Sequence, residues 1–176
     1  MPTKQTSLAT DLREQLRTCF QGRVYLMGLG NLDYGDDGFG VRLAEKLIEA
    51  GMRDVIVAGT APERYLGHVV DERFDHLVFL DAVDFGGATG SVVFLDAREI
   101  YARFPQISTH KTSLSVLARW VETSRATRAW LLGVQPESLK QARSLTPTVQ
   151  TTLDAVCELL CNRETPAKHR AAEMDS

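Results

Sequence analysis

Three residues have side chains able to hold a metal ion or move a proton: two closely follow apolar runs, and the third comes after a further run and a loop, just before a helical pattern. They are Asp37 in GLGNLDYGDDGFG, Asp81 in LVFLDAVDFGG, and His110 in STHKTSL. Two hard carboxylates and one imidazole suit a divalent ion of the first transition row, with ligand positions left open for a substrate. Other chemistries lack their patterns: there is no HExxH, no GxSxG, and no cysteine in these motifs to act as nucleophile. Gly28 and Gly30 begin a dinucleotide-like spacing, but Asp33 stands where the third glycine belongs. No GK[ST] closes a phosphate loop, and Asp36 and Asp37 would repel a phosphate from the start of the following helix.

Each acid also has a plainer role to weigh. Asp36 is a good helix N-cap, and an acid in a first turn gains from the helix dipole. Adjacent side chains point differently, so Asp36 is read as the cap and Asp37 as the acid facing a cleft. Asp81 ends a buried strand and must be solvated, hydrogen-bonded or paired with a cation, unless it only forms a turn. Asp84 belongs more naturally to the glycine-rich turn after it. His68 with Asp71 reads as a surface helix pair, His76 as a strand start away from the cleft, and His169 as part of a tail.

The elements that must position these residues alternate between helical and strand periods. Leu8, Leu12, Leu16 and Cys19 mark a first helix, with Thr6 or Ser7 as its cap. Strands are expected at Val24 to Leu29, Val55 to Val57, His76 to Leu80, Ser91 to Leu95 and Ala129 to Val134. Helices are expected after the first strand (Phe39, Leu43, Leu47, Ile48), from Pro62, over about Ser113 to Glu122, and after Thr146 and Pro147. The run from Asp84 to Gly90 leaves no room for a crossover helix. Ser91 to Leu95 is therefore expected to return antiparallel beside the third strand. The pattern predicts a three-layer α/β sandwich: a mostly parallel sheet of about five strands, one of them antiparallel, with helices on both faces. In such sheets ligands sit beyond the carboxyl ends of the strands, near a topological switch point, where Asp37, Asp81 and His110 fall.

Composition limits the partners. The chain has 176 residues, 20 Lys plus Arg and 23 Asp plus Glu, so a net charge of −3 gives no reason to expect nucleic acid. Asp33, Asp36, Asp37, Asp81 and Asp84 gather near one predicted edge, which favours a cation instead. No run approaches the roughly 20 apolar residues of a membrane span, so no membrane insertion is expected. Cys19, Cys157 and Cys161 form no CxxC pair and read as small buried hydrophobes in a cytoplasmic protein. Residues 1–163 are expected to form a single peptidase domain, 164–176 a flexible tail, and the protein a monomer.

Five segments, GLGNLDYGDDGFG, TAPE, LVFLDAVDFGG, STHKTSL and GVQP, resemble in matching order the nickel–iron hydrogenase maturation endopeptidases, over about Arg23 to Leu160. The resemblance implies removal of a C-terminal extension from an immature hydrogenase large subunit once nickel has been inserted. It implies that Asp37, Asp81 and His110 bind nickel that arrives within the substrate, with no organic cofactor. On this reading hydrolysis is metal-assisted, and the general base is Asp37, Asp81 or, as an outside candidate, Asp36. Many relatives carry an acid and two glycines at the end of the second strand, where this chain has Val57, Ala58 and Gly59. Two rival readings keep the same residues or the same sheet: a nickel-sensing chaperone that does not cleave, and a nucleotide-binding module.

Overall fold

Five apolar runs bounded by glycine, aspartate and short polar turns form one sheet. The computed structural model describes residues 4–104, 113–124 and 126–162. His110 and the expected tail, 164–176, lie outside the described residues. The strands are β1 (Val24–Leu29), β2 (Val55–Gly59), β3 (His76–Ala82), β4 (Val92–Asp96) and β5 (Arg128–Val134). The helices are α1 (Lys4–Cys19), α2 (Phe39–Glu49), α3 (Leu66–Asp71), α4 (Ala97–Arg103), α5 (Leu114–Ser124) and α6 (Pro147–Cys161). Helix α1 contains Thr6 and Ser7 rather than starting at them, so neither is its cap.

Side chains alternate across each strand and divide the apolar residues between two cores. Val78 and Leu80 of β3 pack with Leu16 of α1, Leu43 of α2 and Leu153 of α6. Leu77 and Phe79 pack on the other face with Val69 of α3, Ile100 of α4 and Leu117 of α5. A sheet covered by a helical layer on each face is the three-layer sandwich expected from the sequence.

The strand order is β2-β1-β3-β5-β4. All pairs are parallel except β4 with β5. The chain leaves β1 through α2, on one face, to reach β2. It then crosses back through α3, on the other face, to β3, on the far side of β1. The two crossovers diverge between β1 and β3, which is the topological switch point.

One expectation about the sheet is corrected. β4 does not lie beside β3: its partner is β5, from Val92 opposite Val134 to Asp96 opposite Trp130. The reason is that β5 occupies the whole free edge of β3, pairing from His76–Arg128 to Ala82–Val134. The connection 83–91 therefore spans the width of a strand instead of making a hairpin. Helix α4 was also unforeseen, although its signal is local. Asp96 accepts from the Glu99 backbone N–H at 2.9 Å while the Glu99 carboxylate accepts from the Asp96 N–H at 3.0 Å, a capping box within the run DARE.

His76 is a structural residue, and its Nδ1 accepts from the Trp130 indole N–H at 3.0 Å. Burial holds its imidazole below the ordinary value, against the opposing pull of Asp75. His68 packs edge-on against Tyr25, with ring centroids 6.1 Å apart.

Two glycines let α2 lie directly on the strand ends. A Cβ at Gly40 would overlap the carbonyl oxygens of Leu80 and Leu29, and one at Gly28 would overlap that of Gly40. Gly40→Ala is thus expected to force α2 off the sheet at a cost of about 1–3 kcal/mol. A lowered Tm in a thermal melt checks this.

Candidate active site

The loop after β1 closes in a 3₁₀ turn, Gly35–Gly38, that carries the two adjacent acids. Gly30 makes this possible: its φ is +130°, and any Cβ there would overlap the carbonyl oxygen of Asp37. The loop is then laced to a second segment a hundred residues away. The Gly35 N–H donates to the Ala142 carbonyl at 2.8 Å, the Asp36 N–H to that of Ser138 at 3.1 Å, and the Ala142 N–H to that of Asp33 at 2.9 Å.

Asp36 completes the lacing. It is 0% exposed. Its Oδ2 accepts from the backbone N–H groups of Glu137 at 2.9 Å and Ser138 at 3.0 Å. Its Oδ1 accepts from the Thr146 N–H at 2.7 Å, and the Thr146 hydroxyl donates to both oxygens. The expected N-cap role is corrected in an instructive way. Asp36 caps nothing on its own turn, where Tyr34 holds the N-cap position. It reaches instead to the N-terminus of α6, where Thr146 sits at the N-cap position and its side chain makes no cap bond to that helix.

Asp37 is 4% exposed and differs from its neighbour in how it is satisfied. Oδ2 accepts from the Asn31 N–H at 2.8 Å. Oδ1 is buried and has no hydrogen-bond partner among the described residues. A buried carboxylate oxygen left in this state calls for a ligand that supplies positive charge or a donor.

Asp81 is 2% exposed, at the carboxyl end of β3, and its Oδ1 accepts from the Ala82 N–H at 2.9 Å. Strand alternation places its side chain with Leu77 and Phe79, on the face covered by α3, α4 and α5. Gly28 pairs with Leu80, so the ends of β1 and β3 lie side by side and bring the Asp37 loop and Asp81 to one crevice at the switch point. The described residues contain no cluster of three metal-binding side chains. They therefore present two of the three ligands named from the sequence, with His110 outside them.

Asp84 behaves as the turn former it was read to be. Its Oδ1 accepts from the Gly86 N–H at 3.0 Å and from Gln135 Nε2 at 3.0 Å. The Gln135 bond first and the Gly86 bond second hold its carboxyl below the ordinary value. Gln135 is the residue that sequence reasoning missed. Its Oε1 accepts from the N–H groups of Phe85 at 2.9 Å and Gly87 at 3.1 Å, pinning the loop that crosses the end of β5. The run GVQP contained it, but nothing local marks a glutamine as the anchor of a loop 50 residues earlier.

Fold and site together define a class: an α/β sandwich that presents buried acids, one of them half-partnered, at the switch point of its sheet. A family model described as HycI, Hydrogenase maturation protease, matches residues 41–163, more than half of the chain. The Hydrogenase 2 maturation protease of Escherichia coli strain K12 is 33% identical over 144 residues, covering 77% of this chain and 87% of the relative. A crystal structure of the [NiFe] hydrogenase maturation protease HycI from Thermococcus kodakarensis KOD1 superposes with a TM-score of 0.70 at 30% identity, covering 80% of this chain and 90% of that one. The hydrogenase maturating endopeptidase HybD of E. coli does so with a TM-score of 0.67 at 30% identity, covering 78% and 89%. The chain belongs to the hydrogenase maturation protease family. It is a protease, which sets aside the nucleotide-binding and non-cleaving readings. No helix among the described residues is long and apolar enough to cross a membrane.

The two neighbouring acids should separate cleanly on substitution. Asp36→Ala leaves buried N–H groups without acceptors and is expected to cost roughly 3 kcal/mol or more. Asp37→Asn keeps the Asn31 bond and is expected to change stability by less than about 1 kcal/mol while abolishing cleavage. Urea denaturation of both variants, beside a precursor-processing assay, checks the contrast.

Proposed function

We propose that this protein removes the C-terminal extension of a nickel-loaded hydrogenase large subunit. The observation that carries this reading is the buried Oδ1 of Asp37, which has no hydrogen-bond partner among the described residues. Beside Asp81, it supplies the hard, anionic donor that a divalent ion needs, and His110 would complete the set with an imidazole. The nickel is part of the substrate in this proposal and serves as the sign that loading is complete. When bound, the ion polarises the scissile carbonyl or lowers the pKa of an attacking water.

The chain's own residues divide the remaining work. Asp37 and Asp81 hold the nickel-bearing end of the substrate in place, and the walls of the crevice fix the peptide against them. Asp36 takes no part as a base, because N–H and hydroxyl donors already occupy its carboxylate. That leaves Asp37 or Asp81 to receive a proton from the attacking water. In this reading residues 1–163 act as one unit in the cytoplasm, as a monomer, with the immature large subunit as partner.

Incubation with nickel-loaded and nickel-free precursor, followed by mass spectrometry of the large subunit, tests the proposal. Loss of the extension is expected from the loaded precursor alone, and equal cleavage of both would overturn nickel recognition. His110→Ala is expected to abolish processing, and wild-type activity in that variant would overturn the ligand set. Treating the enzyme with a chelator and then removing the chelator is expected to leave processing of loaded precursor intact, since the ion comes with the substrate.

A further inference from the structure

Helix α5 carries an outward stripe that a helix exposed only to water would not need. Val116 and Trp120, four residues apart, are 57% and 45% exposed, while Leu114, Leu117, Ala118 and Val121 bury the opposite side. The two exposed residues line an apolar groove of about 280 Å³ with Leu117 and, across from them, Glu63 and Leu66. Glu63 belongs to the 3₁₀ turn Pro62–Arg64 that follows β2, and Leu66 opens α3.

Topology shows where this groove leads. Both helices begin at the carboxyl edge of the sheet and run down the face that Asp81 shares with Leu77 and Phe79. Helix α3 joins β2 to β3, and α5 packs on β5 and against α3, so the groove between the two helices lies on that face of the sheet. Three more large hydrophobic residues stand exposed around the same edge: Leu32 at 37%, Tyr34 at 48% and Leu139 at 40%. They belong to the two segments laced by Asp36. An apolar rim thus flanks the acids on both sides.

An endopeptidase must hold polypeptide on both sides of the bond it cuts. We propose that the α3–α5 groove seats the stretch of large-subunit polypeptide adjoining the scissile bond. This rests on the function proposed above and adds the chemistry of the segment recognised. It is an extended stretch with large aliphatic or aromatic side chains, and it carries no acid opposite the Glu63 carboxylate. Binding in the groove draws the peptide across Asp81 and limits cleavage to chains that present such a stretch.

The test measures affinity and turnover separately, using nickel-loaded precursor large subunit as the probe. Val116→Glu and Trp120→Ala are expected to weaken binding in biolayer interferometry, and to raise KM, by roughly tenfold with kcat little changed. Ile48→Glu, at an exposed apolar residue near the far end of α2, is expected to leave both unchanged. Circular dichroism and Tm should match wild type in all three. Wild-type affinity and KM in both groove variants would overturn the proposal. So would a wild-type dimer in sedimentation that Val116→Glu converts to monomer, because the groove would then serve a second copy of the chain. If the wild type binds the precursor without cutting it, the proposed function fails, while the binding series still tests the groove.

Discussion

A carboxylate with no exposed surface, held by N–H and hydroxyl donors from residues 137–146, governs the geometry at the carboxyl end of β1. Asp36 ties the turn after β1 to the entry of α6, two segments 101 to 110 residues apart in the chain. Burying a charge is costly unless donors surround it, and these donors are backbone groups whose positions are set by the fold. The arrangement consequently demands one conformation of both segments at once. It also sets the direction of the next residue, since Asp37 follows Asp36 in a tight turn and has no freedom of its own.

Adjacent acids of identical chemistry therefore do opposite work. Asp36 is complete and holds structure together. Asp37 is left half-satisfied, one oxygen bonded to the Asn31 N–H and the other facing no donor among the described residues. Asp81 reaches the same crevice by another route, as the polar residue that follows four buried apolar side chains, Leu77 to Leu80, in β3. A site made in this way is rigid on its protein side, which suits the proposal above that the substrate brings the reactive ion.

The sheet brings these parts into register. Glycines at 28 and 40 let α2 approach the strand ends within a distance no side chain would allow, lowering the 3₁₀ turn onto the edges of β1 and β3. The crossovers diverge between those two strands, which places the topological switch point there. On the far side of β3, β5 takes the neighbouring place and pushes β4 to the edge. Gln135 then anchors the loop that must stretch over the gap.

What the sequence determined by itself was local or periodic. Alternation and helical spacing foretold five strands and the helical layers, because burial of one face repeats every two or 3.6 residues. Strand ends pointed to Asp37 and Asp81, because a charge beside a buried run needs a reason to be there. Even the unforeseen α4 had its signal in the capping box of Asp96 and Glu99. Tertiary structure alone decided the rest. The order β3-β5-β4 depends on which strand wins the free edge of β3, a competition between segments far apart in the chain. The partners of Asp36 and Gln135 lie 48 to 110 residues away in sequence, so no local pattern records them. Which of two neighbouring aspartates would be complete, and which would be left with an open oxygen, was settled only when those distant N–H groups arrived.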